Sequence, residues 1–198
     1  MCPHFGRGDV RFFDRVARLY DVLMPPANVG VFRDAFAFAD RPVEWVLDLA
    51  GGSGRVADAL GTAGYEPVVA DVSRPMLRRA HERGAGTVQS DAGRLPFPDG
   101  TFDAVVVVDA YHHLPEQDAA LAEAARVVAP GGVVVIRDFD PTTLAGRGIV
   151  AGEALFGMGS RFVDADSAAA SLTRSGLHSR VLDRGSVYTV AGRKPRAE

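Results

Sequence analysis

The chain has 198 residues, of which 47% are hydrophobic and 24% are charged, and its formal net charge at pH 7 is −3. This length suits one well-cored domain and is short for two, and the slightly acidic balance argues against nucleic-acid binding. The single cysteine, Cys2, rules out an intrachain disulfide and a thiolate metal cluster. Because we find no signal peptide and no apolar run of about 18 residues, we expect a cytoplasmic protein without a membrane span.

Two short helical patterns open the chain. Apolar residues recur at helical spacing over 9–23 and stop before Pro25 and Pro26, and a second short helix is predicted over 28–39. The first helix could pack on the domain with its arginines in solvent, cap a ligand site as a lid, or lie on a membrane surface as a basic amphipathic helix. The sequence leaves these three alternatives open.

The most informative stretch of the chain is 44–57. A short apolar run over 45–49 is typical of a buried parallel strand, the glycine-rich segment 50–54 indicates a turn whose backbone can approach a ligand, and a helix is predicted to begin at Arg55. This order of strand, glycine turn and helix is a nucleotide-binding signature.

Two kinds of ligand fit this turn. Gly52, Gly54 and Ala57 satisfy the dinucleotide fingerprint G-x-G-x-x-G/A, with Asp71 at the end of the next strand. The carboxylate of Asp48 would repel a pyrophosphate bound at this helix start. S-adenosylmethionine has no phosphate, carries a cationic sulfonium and an amino group, and has a ribose diol that Asp71 could bind. The spacing therefore favours a methyl donor over a nicotinamide cofactor.

The segment 48–54, Asp-Leu-Ala-Gly-Gly-Ser-Gly, resembles motif I of the class I S-adenosylmethionine-dependent methyltransferases, E/D-x-G-x-G-x-G, with Ala50 in place of its first glycine. We expect this substitution to alter the turn slightly without loss of binding. The Leu-Ala-Gly-Gly stretch is especially similar to the quinone-biosynthesis C-methyltransferases, and the resemblance runs over 11–194. Segment 95–103, Leu-Pro-Phe-Pro-Asp-Gly-Thr-Phe-Asp, resembles a further family marker.

The resemblance implies an α/β fold: a doubly wound, mostly parallel, seven-stranded Rossmann-like sheet with an antiparallel C-terminal hairpin. We expect a single methyltransferase domain over 1–198, with 1–40 as an N-terminal helical cap on a core over 41–198. The tight hairpin, joined at 183–186, requires antiparallel pairing and argues against the six-parallel-strand fold of a NAD(P)-dependent oxidoreductase. The sequence predicts later strands over 67–71, 86–90, 104–108, 133–137, 177–182 and 187–191, and helices over 116–128 and 165–175.

The resemblance also implies which residues contact S-adenosylmethionine. Asp71 would bind the ribose diol, Val72 and Met76 would line the adenine, and Asp91 and Ala92 would bind its amine and ring. Alternatives remain open: Asp71 as a helix-capping acid, Met76 as plain core, and Asp91 as the acceptor of an Asx-turn. The predicted cofactor-binding residues are Tyr20, Asp48, Ala50, Gly51, Gly52, Gly54, Asp71, Val72, Met76, Asp91, Ala92 and Asp109.

The acceptor side is less determined. His112 and His113 follow the predicted strand over 104–108, and a neutral imidazole there could take a proton from a phenol, a carbon acid or an amine; either histidine could instead cap the next helix. No metal site is predicted, and Asp138 with Asp140 is interpreted as solvated loop.

The segment 138–160 could cover a pocket and move. Alternatively it could be a disordered loop, because its many glycines oppose ordering. We expect a methyltransferase acting on a small molecule. The quinone enzymes usually carry a Gly-Leu-Arg-Asn-like segment where this chain has Tyr-His-His-Leu at 111–114. A quinone C-methyltransferase and a catalytically silent cofactor-binding protein therefore stay as alternatives.

Overall fold

The computed structural model describes residues 27–196. The predicted helix over 9–23, with Tyr20, lies outside this range, so its role as a lid stays a prediction. In chain order the elements are α1 (Val29–Phe36), β1 (Trp45–Leu49), α2 (Arg55–Thr62), β2 (Glu66–Asp71), α3 (Arg74–Glu82), β3 (Gly86–Gln89), β4 (Phe102–Val108), a 3₁₀ turn (Tyr111–His113), α4 (Gln117–Val127), β5 (Val128–Phe139), α5 (Leu144–Leu155), α6 (Ala165–Arg174), β6 (His178–Asp183) and β7 (Val187–Arg193).

The seven strands form one sheet in the order β3-β2-β1-β4-β5-β7-β6. Strands β1 to β5 pair in parallel, whereas β7 runs antiparallel to both β5 and β6. The strand order reverses between β1 and β4, and ligands of open α/β sheets bind beyond the carboxyl ends of the strands at such a point. This topology confirms the predicted fold class, including the single antiparallel strand in the C-terminal hairpin.

The central strands are apolar because helices cover both faces of the sheet. In β4 only Val108 is not fully buried, as expected for a continuous β-branched run in a parallel sheet. One core cluster joins alternate residues of β4, such as Val105 and Val107, to α4 and α6, and the other joins Ala104 and Val106 to α1 and α2. No helix in 27–196 is both long enough and apolar enough to span a bilayer.

Two elements differ from the sequence-based expectation. Strand β5 begins at Val128, five residues before the predicted start, and its register with β4 shifts between Phe102 and Ala104. The segment predicted to be a lid or a disordered loop contains helix α5, so the disordered-loop alternative is wrong for 144–155. Thr143 accounts for the helix start, because its side chain accepts a hydrogen bond from the Gly146 N–H.

Candidate functional site

The turn after β1 is built from left-handed backbone. Ala50, Gly52 and Gly54 have φ angles of 56°, 54° and 76°, which brings the chain from the strand into α2 within a few residues. Ala50 stands where the family motif has its first glycine, and an L-residue in this conformation is strained. We call residues 48–57 together with Asp71 the glycine corner.

Asp48 lies beneath this turn and is buried. Its Oδ2 accepts a hydrogen bond from the Ala57 N–H at 3.2 Å, and its Oδ1 has no partner among the described residues. Burial raises the pKa of Asp48 to about 7, against the lowering effects of the Ala57 N–H and Arg55. Gly51 is required here because a Cβ would lie 2.4 Å from the Asp48 Cγ. The carboxyl group therefore supports the turn from below.

Asp71 joins the ends of β1 and β2. Its Oδ2 accepts from the Gly52 N–H at 2.9 Å and its Oδ1 from the Ser73 N–H at 2.8 Å. No residue in 27–196 lies within 4 Å of a Cβ built on Gly52, so the described part of the chain leaves open space above that residue. Asp71 therefore caps the segment after β2, as the capping alternative predicts, and a carboxylate oxygen can accept more than one hydrogen bond.

Gly54 serves packing. A Cβ on Gly54 would lie 2.8 Å from the Ala80 Cβ, so the residue allows α2 and α3 to approach each other. This is the role that the last glycine of such a turn has in nucleotide-binding folds. Its contact with a cofactor stays a prediction.

The predicted adenine-binding residues lie after β2 and β3. Met76 is 2% exposed and belongs to the buried apolar residues, whereas Val72 and Ala92 are half-buried. The side chain of Asp91 is exposed, and its Oδ1 accepts from the Gly93 N–H at 2.9 Å. The Asx-turn is thus formed, and the roles of these residues toward adenine remain predictions.

Asp109 follows β4 with a φ of 52°, so the ends of β1 and β4 each carry a left-handed residue other than glycine. Its Oδ2 pairs with an Arg55 guanidinium nitrogen at 2.7 Å, and both side chains are largely buried. Burial raises the pKa of Asp109, against the lowering effect of Arg55. This ion pair connects the glycine corner to the segment that carries the two histidines.

A second group of polar side chains, the histidine cluster, consists of His112, His113, Asp138 and Glu153. The Nδ1 of His112 lies 2.6 Å from the Asp138 Oδ1, and its Nε2 lies 3.3 Å from the Glu153 Oε1. The Nε2 of His113 lies 3.8 Å from the same Glu153 oxygen. The interpretation of Asp138 as solvated loop is wrong: β5 continues through that residue, which is 1% exposed.

The charges of the cluster determine which histidine could act as a base. Burial lowers the pKa of His112, but hydrogen bonds and charges from Asp138 and Glu153 outweigh it and raise the pKa to about 9. An imidazole that is protonated at pH 7 cannot accept a proton, which argues against His112 as the base. His113 is 14% exposed, with its Nδ1 3.1 Å from the Ser160 hydroxyl.

The comparisons with known proteins agree with this geometry. Residues 47–136, which contain the glycine corner, most of β1 and all of β2 to β4, match the family described as "Methyltransferase domain". This central part of the chain is therefore similar to a methyltransferase domain. The match ends within β5, so α5, which supplies Glu153 to the histidine cluster, lies beyond the matched part of the methyltransferase domain.

The chain covers only part of the curated relatives that it matches. The chain is 41% identical over 132 residues to a demethylmenaquinone methyltransferase of Mycobacterium marinum, covering 64% of this chain and 57% of the relative. It is 37% identical over 150 residues to a ubiquinone/menaquinone biosynthesis C-methyltransferase of Coxiella burnetii, covering 67% of this chain and 60% of the relative. The chain thus spans somewhat under two thirds of the length of these relatives.

Among solved structures, a possible histamine N-methyltransferase of Thermotoga maritima has the same fold. Its TM-score is 0.75 at 20% identity, with 93% of this chain and 99% of that chain covered. At this identity the likeness shows the fold alone.

The sequence analysis missed Asp138, Glu153 and Ser160 as neighbours of the histidines. Asp138 could have been found, since it stands two residues after the β-branched run 133–136 and the carboxyl ends of neighbouring parallel strands meet at one edge. Glu153 is the only acidic residue between Asp140 and Asp164, but no local pattern connects it with a histidine 41 positions earlier.

Proposed function

We propose that this protein transfers a methyl group from S-adenosylmethionine to a small-molecule acceptor. One observation carries the proposal. The Gly52 N–H donates to Asp71 at 2.9 Å, which joins the ends of β1 and β2, and the described residues leave open space above Gly52. A carboxylate in that position can accept hydrogen bonds from a ribose diol, and a glycine, which has no side chain, lets the ligand approach the backbone.

The charge of the corner also suits this donor. Asp48 is buried with one oxygen unpartnered among the described residues, and its raised pKa reflects the cost of holding its negative charge there. A nearby cationic ligand would reduce that cost, whereas a pyrophosphate would increase it. The residues present therefore fit S-adenosylmethionine, with Asp71 at the ribose and Asp48 supporting the turn.

When bound, S-adenosylmethionine supplies an electrophilic methyl group, and the protein needs to align the acceptor and, for a phenol, remove its proton. His113 is the better placed of the two histidines for that proton, because it is partly exposed and its Nδ1 contacts a neutral hydroxyl. This role for His113 is part of the proposal. His112 is held between the carboxylates of Asp138 and Glu153 and would position the 3₁₀ turn that carries both histidines.

The first experiment measures binding. Calorimetric titration of the purified protein with S-adenosylhomocysteine, NAD and NADP should give saturable binding of S-adenosylhomocysteine alone. Asp71→Ala should weaken that binding by about 1–3 kcal/mol, roughly 5- to 150-fold in Kd, because the ribose contacts are lost. Asp58→Ala is the matched control, since Asp58 is an exposed carboxylate on α2. Binding of a nicotinamide cofactor alone would contradict the proposal.

A second candidate concerns the acceptor. The names of the relatives at 37–41% identity favour a quinol-type phenol methylated on a ring carbon. Turnover with demethylmenaquinol, simple phenols and amines in parallel separates this candidate from a broader small-molecule methyltransferase. Donor binding without turnover on any acceptor class would instead favour a catalytically silent binding protein.

A further inference from the structure

We propose that His112, His113 and Glu153 bind a divalent transition-metal ion, for which Zn²⁺ is the best match. One potential ligand atom from each residue can be chosen so that all three lie within 4.8 Å of one another. The two Nε2 atoms converge on a single carboxylate oxygen, Glu153 Oε1, at 3.3 and 3.8 Å. This arrangement was invisible in the sequence, where Glu153 lies far from the histidines.

The separations match those of ligands around one ion. Zinc bonds to histidine nitrogen and carboxylate oxygen are about 2.0–2.2 Å long. Two ligands of a tetrahedral ion with such bonds are about 3.3–3.6 Å apart. The observed 3.3 and 3.8 Å are close to this range, and all three ligand atoms lie within 4.8 Å of one another, so the side chains would have to draw together to bind one ion.

The contacts made by the Nδ1 atoms of both histidines also support a metal site. Metal-bound histidines donate their other ring N–H to a carboxylate or another acceptor, which fixes the ring and the tautomer. His112 has Asp138 at 2.6 Å from its Nδ1, and His113 has the Ser160 hydroxyl at 3.1 Å from its Nδ1. Each Nδ1 is thus held by a neighbour while each Nε2 faces Glu153. An ion bound to the His113 Nε2 would occupy the nitrogen that a general base needs, so the base role proposed for His113 applies to the metal-free protein.

Glu153 supplies the second, independent observation. Its Oε2 is buried and has no hydrogen-bond partner within residues 27–196. Most buried polar atoms have a partner, so an orphan in a native site calls for an explanation such as an ion or a water. A metal held by both carboxylate oxygens, or a water on that metal, would provide one.

The donor set determines the class of metal. Two imidazole nitrogens and one carboxylate suit Zn²⁺, Fe²⁺ or Co²⁺, whereas Mg²⁺ and Ca²⁺ prefer oxygen ligands. Three protein ligands leave a position open, as in catalytic rather than structural zinc sites. The 3₁₀ turn carrying both histidines follows β4 at the ligand edge of the sheet, so that position would take water or an oxygen of a bound acceptor.

The test measures metal binding in the absence of donor and acceptor, so its outcome is independent of the proposed function. Cys2 and His4 are also metal-ligand types and lie outside the described residues, so all variants carry Cys2→Ser and His4→Ala. Metal-free protein is titrated with Zn²⁺ by calorimetry, and Co²⁺ is used as a visible-absorption probe. We expect one Zn²⁺ per chain, a tetrahedral or five-coordinate Co²⁺ spectrum, and no binding of Mg²⁺.

His113→Ala and Glu153→Gln should each weaken Zn²⁺ binding by about 100-fold or more, because each removes a ligand. His81→Ala is the control, since His81 is exposed on α3, and it should bind as the parent does. Far-UV circular dichroism checks folding, and the near-isosteric Glu153→Gln keeps the test decisive if His113→Ala does not fold. A parent that binds no Zn²⁺, or a folded Glu153→Gln that binds as tightly as the parent, would overturn the proposal.

Discussion

The glycine corner and the histidine cluster lie at the same edge of the sheet but are assembled differently. The corner is nearly continuous in sequence, with only Asp71 outside 48–57, and its shape comes from backbone torsions. The cluster draws its side chains from the 3₁₀ turn, the end of β5 and α5. A local motif can therefore reveal the corner, whereas the cluster exists only once the fold has formed.

Their buried aspartates show the same contrast in energetic terms. Asp138 accepts from the His112 N–H, the His112 ring and the Phe139 N–H, at 2.9, 2.6 and 2.8 Å. Among the described residues Asp48 accepts only from the Ala57 N–H, at 3.2 Å, and its pKa is raised to about 7. One buried carboxylate is thus well paired and the other poorly paired. Removing their charges should change stability in opposite directions.

The largest effect is expected at Asp138. Asp138→Ala should lower the free energy of unfolding by about 3–5 kcal/mol, because it leaves the buried His112 without its partner. Urea denaturation measures the change. The control is Asp140→Ala, since Asp140 bonds locally to Thr142 and its loss should cost about 1 kcal/mol or less. Equal losses for the two variants would contradict the contrast between a paired cluster residue and a loop residue.

The next effect concerns Asp48 and depends on pH. A carboxyl whose folded pKa is raised from 3.8 to about 7 contributes stability that is complete below pH 3.8 and lost as the pH rises through 7. Asp48→Asn removes this titrating group. The free energy of unfolding of the variant, relative to that of wild type, should therefore increase by up to about 4 kcal/mol between pH 4 and pH 8.

The test for Asp48 is how the stability difference between Asp48→Asn and wild type changes with pH. A buried amide N–H₂ without a partner would lower the stability of the variant by the same amount at pH 4 and at pH 8, so it would not produce such a change. Denaturant midpoints at a series of pH values provide the measurement, with the exposed Asp58→Asn as control. A difference that stays constant from pH 4 to pH 8 would mean that Asp48 is paired or hydrated in solution.

Gly54 tests whether backbone or packing defines the corner. Gly54→Ala should destabilise the protein by about 2–4 kcal/mol, through strain at a φ of 76° and the close approach to Ala80. Gly64→Ala is the matched control, because its φ is 93° but its Cβ would meet nothing within 4 Å; about 1–2 kcal/mol of strain should remain. Thermal unfolding compares the two, and Ala80→Gly should partly rescue Gly54→Ala only if packing contributes.

The same contrast explains what sequence could predict. The parallel sheet, its antiparallel hairpin and the glycine turn follow from hydrophobic runs and glycine spacing, and the structure confirms them. Helix α5 was ambiguous because its glycines weaken helix propensity, while its start depends on one Thr143 hydrogen bond. The cluster contacts of Glu153 depend on where α5 packs, which is a tertiary outcome that no residue spacing encodes.

The smallest predicted effect is at Ala50, where the chain departs from the glycine of the family motif. Its φ of 56° costs an alanine about 1–2 kcal/mol, while glycine loses roughly 0.5–1 kcal/mol of chain entropy on folding. Ala50→Gly should therefore stabilise the protein by about 0.5–1 kcal/mol. The same substitution at Ala59, inside α2, should destabilise by about 1 kcal/mol, which gives a control of opposite sign in the denaturation curve.

Titration with S-adenosylhomocysteine completes the test of Ala50. If the turn keeps its shape, Ala50→Gly should bind S-adenosylhomocysteine as wild type does, because the groups proposed to bind the ligand, at Gly52 and Asp71, are unchanged. A gain in stability together with a loss of affinity would mean that the strained alanine holds the corner in its binding conformation. In that case local strain at the end of β1 would contribute to function, much as long-range pairing stabilises the histidine cluster at the end of β4.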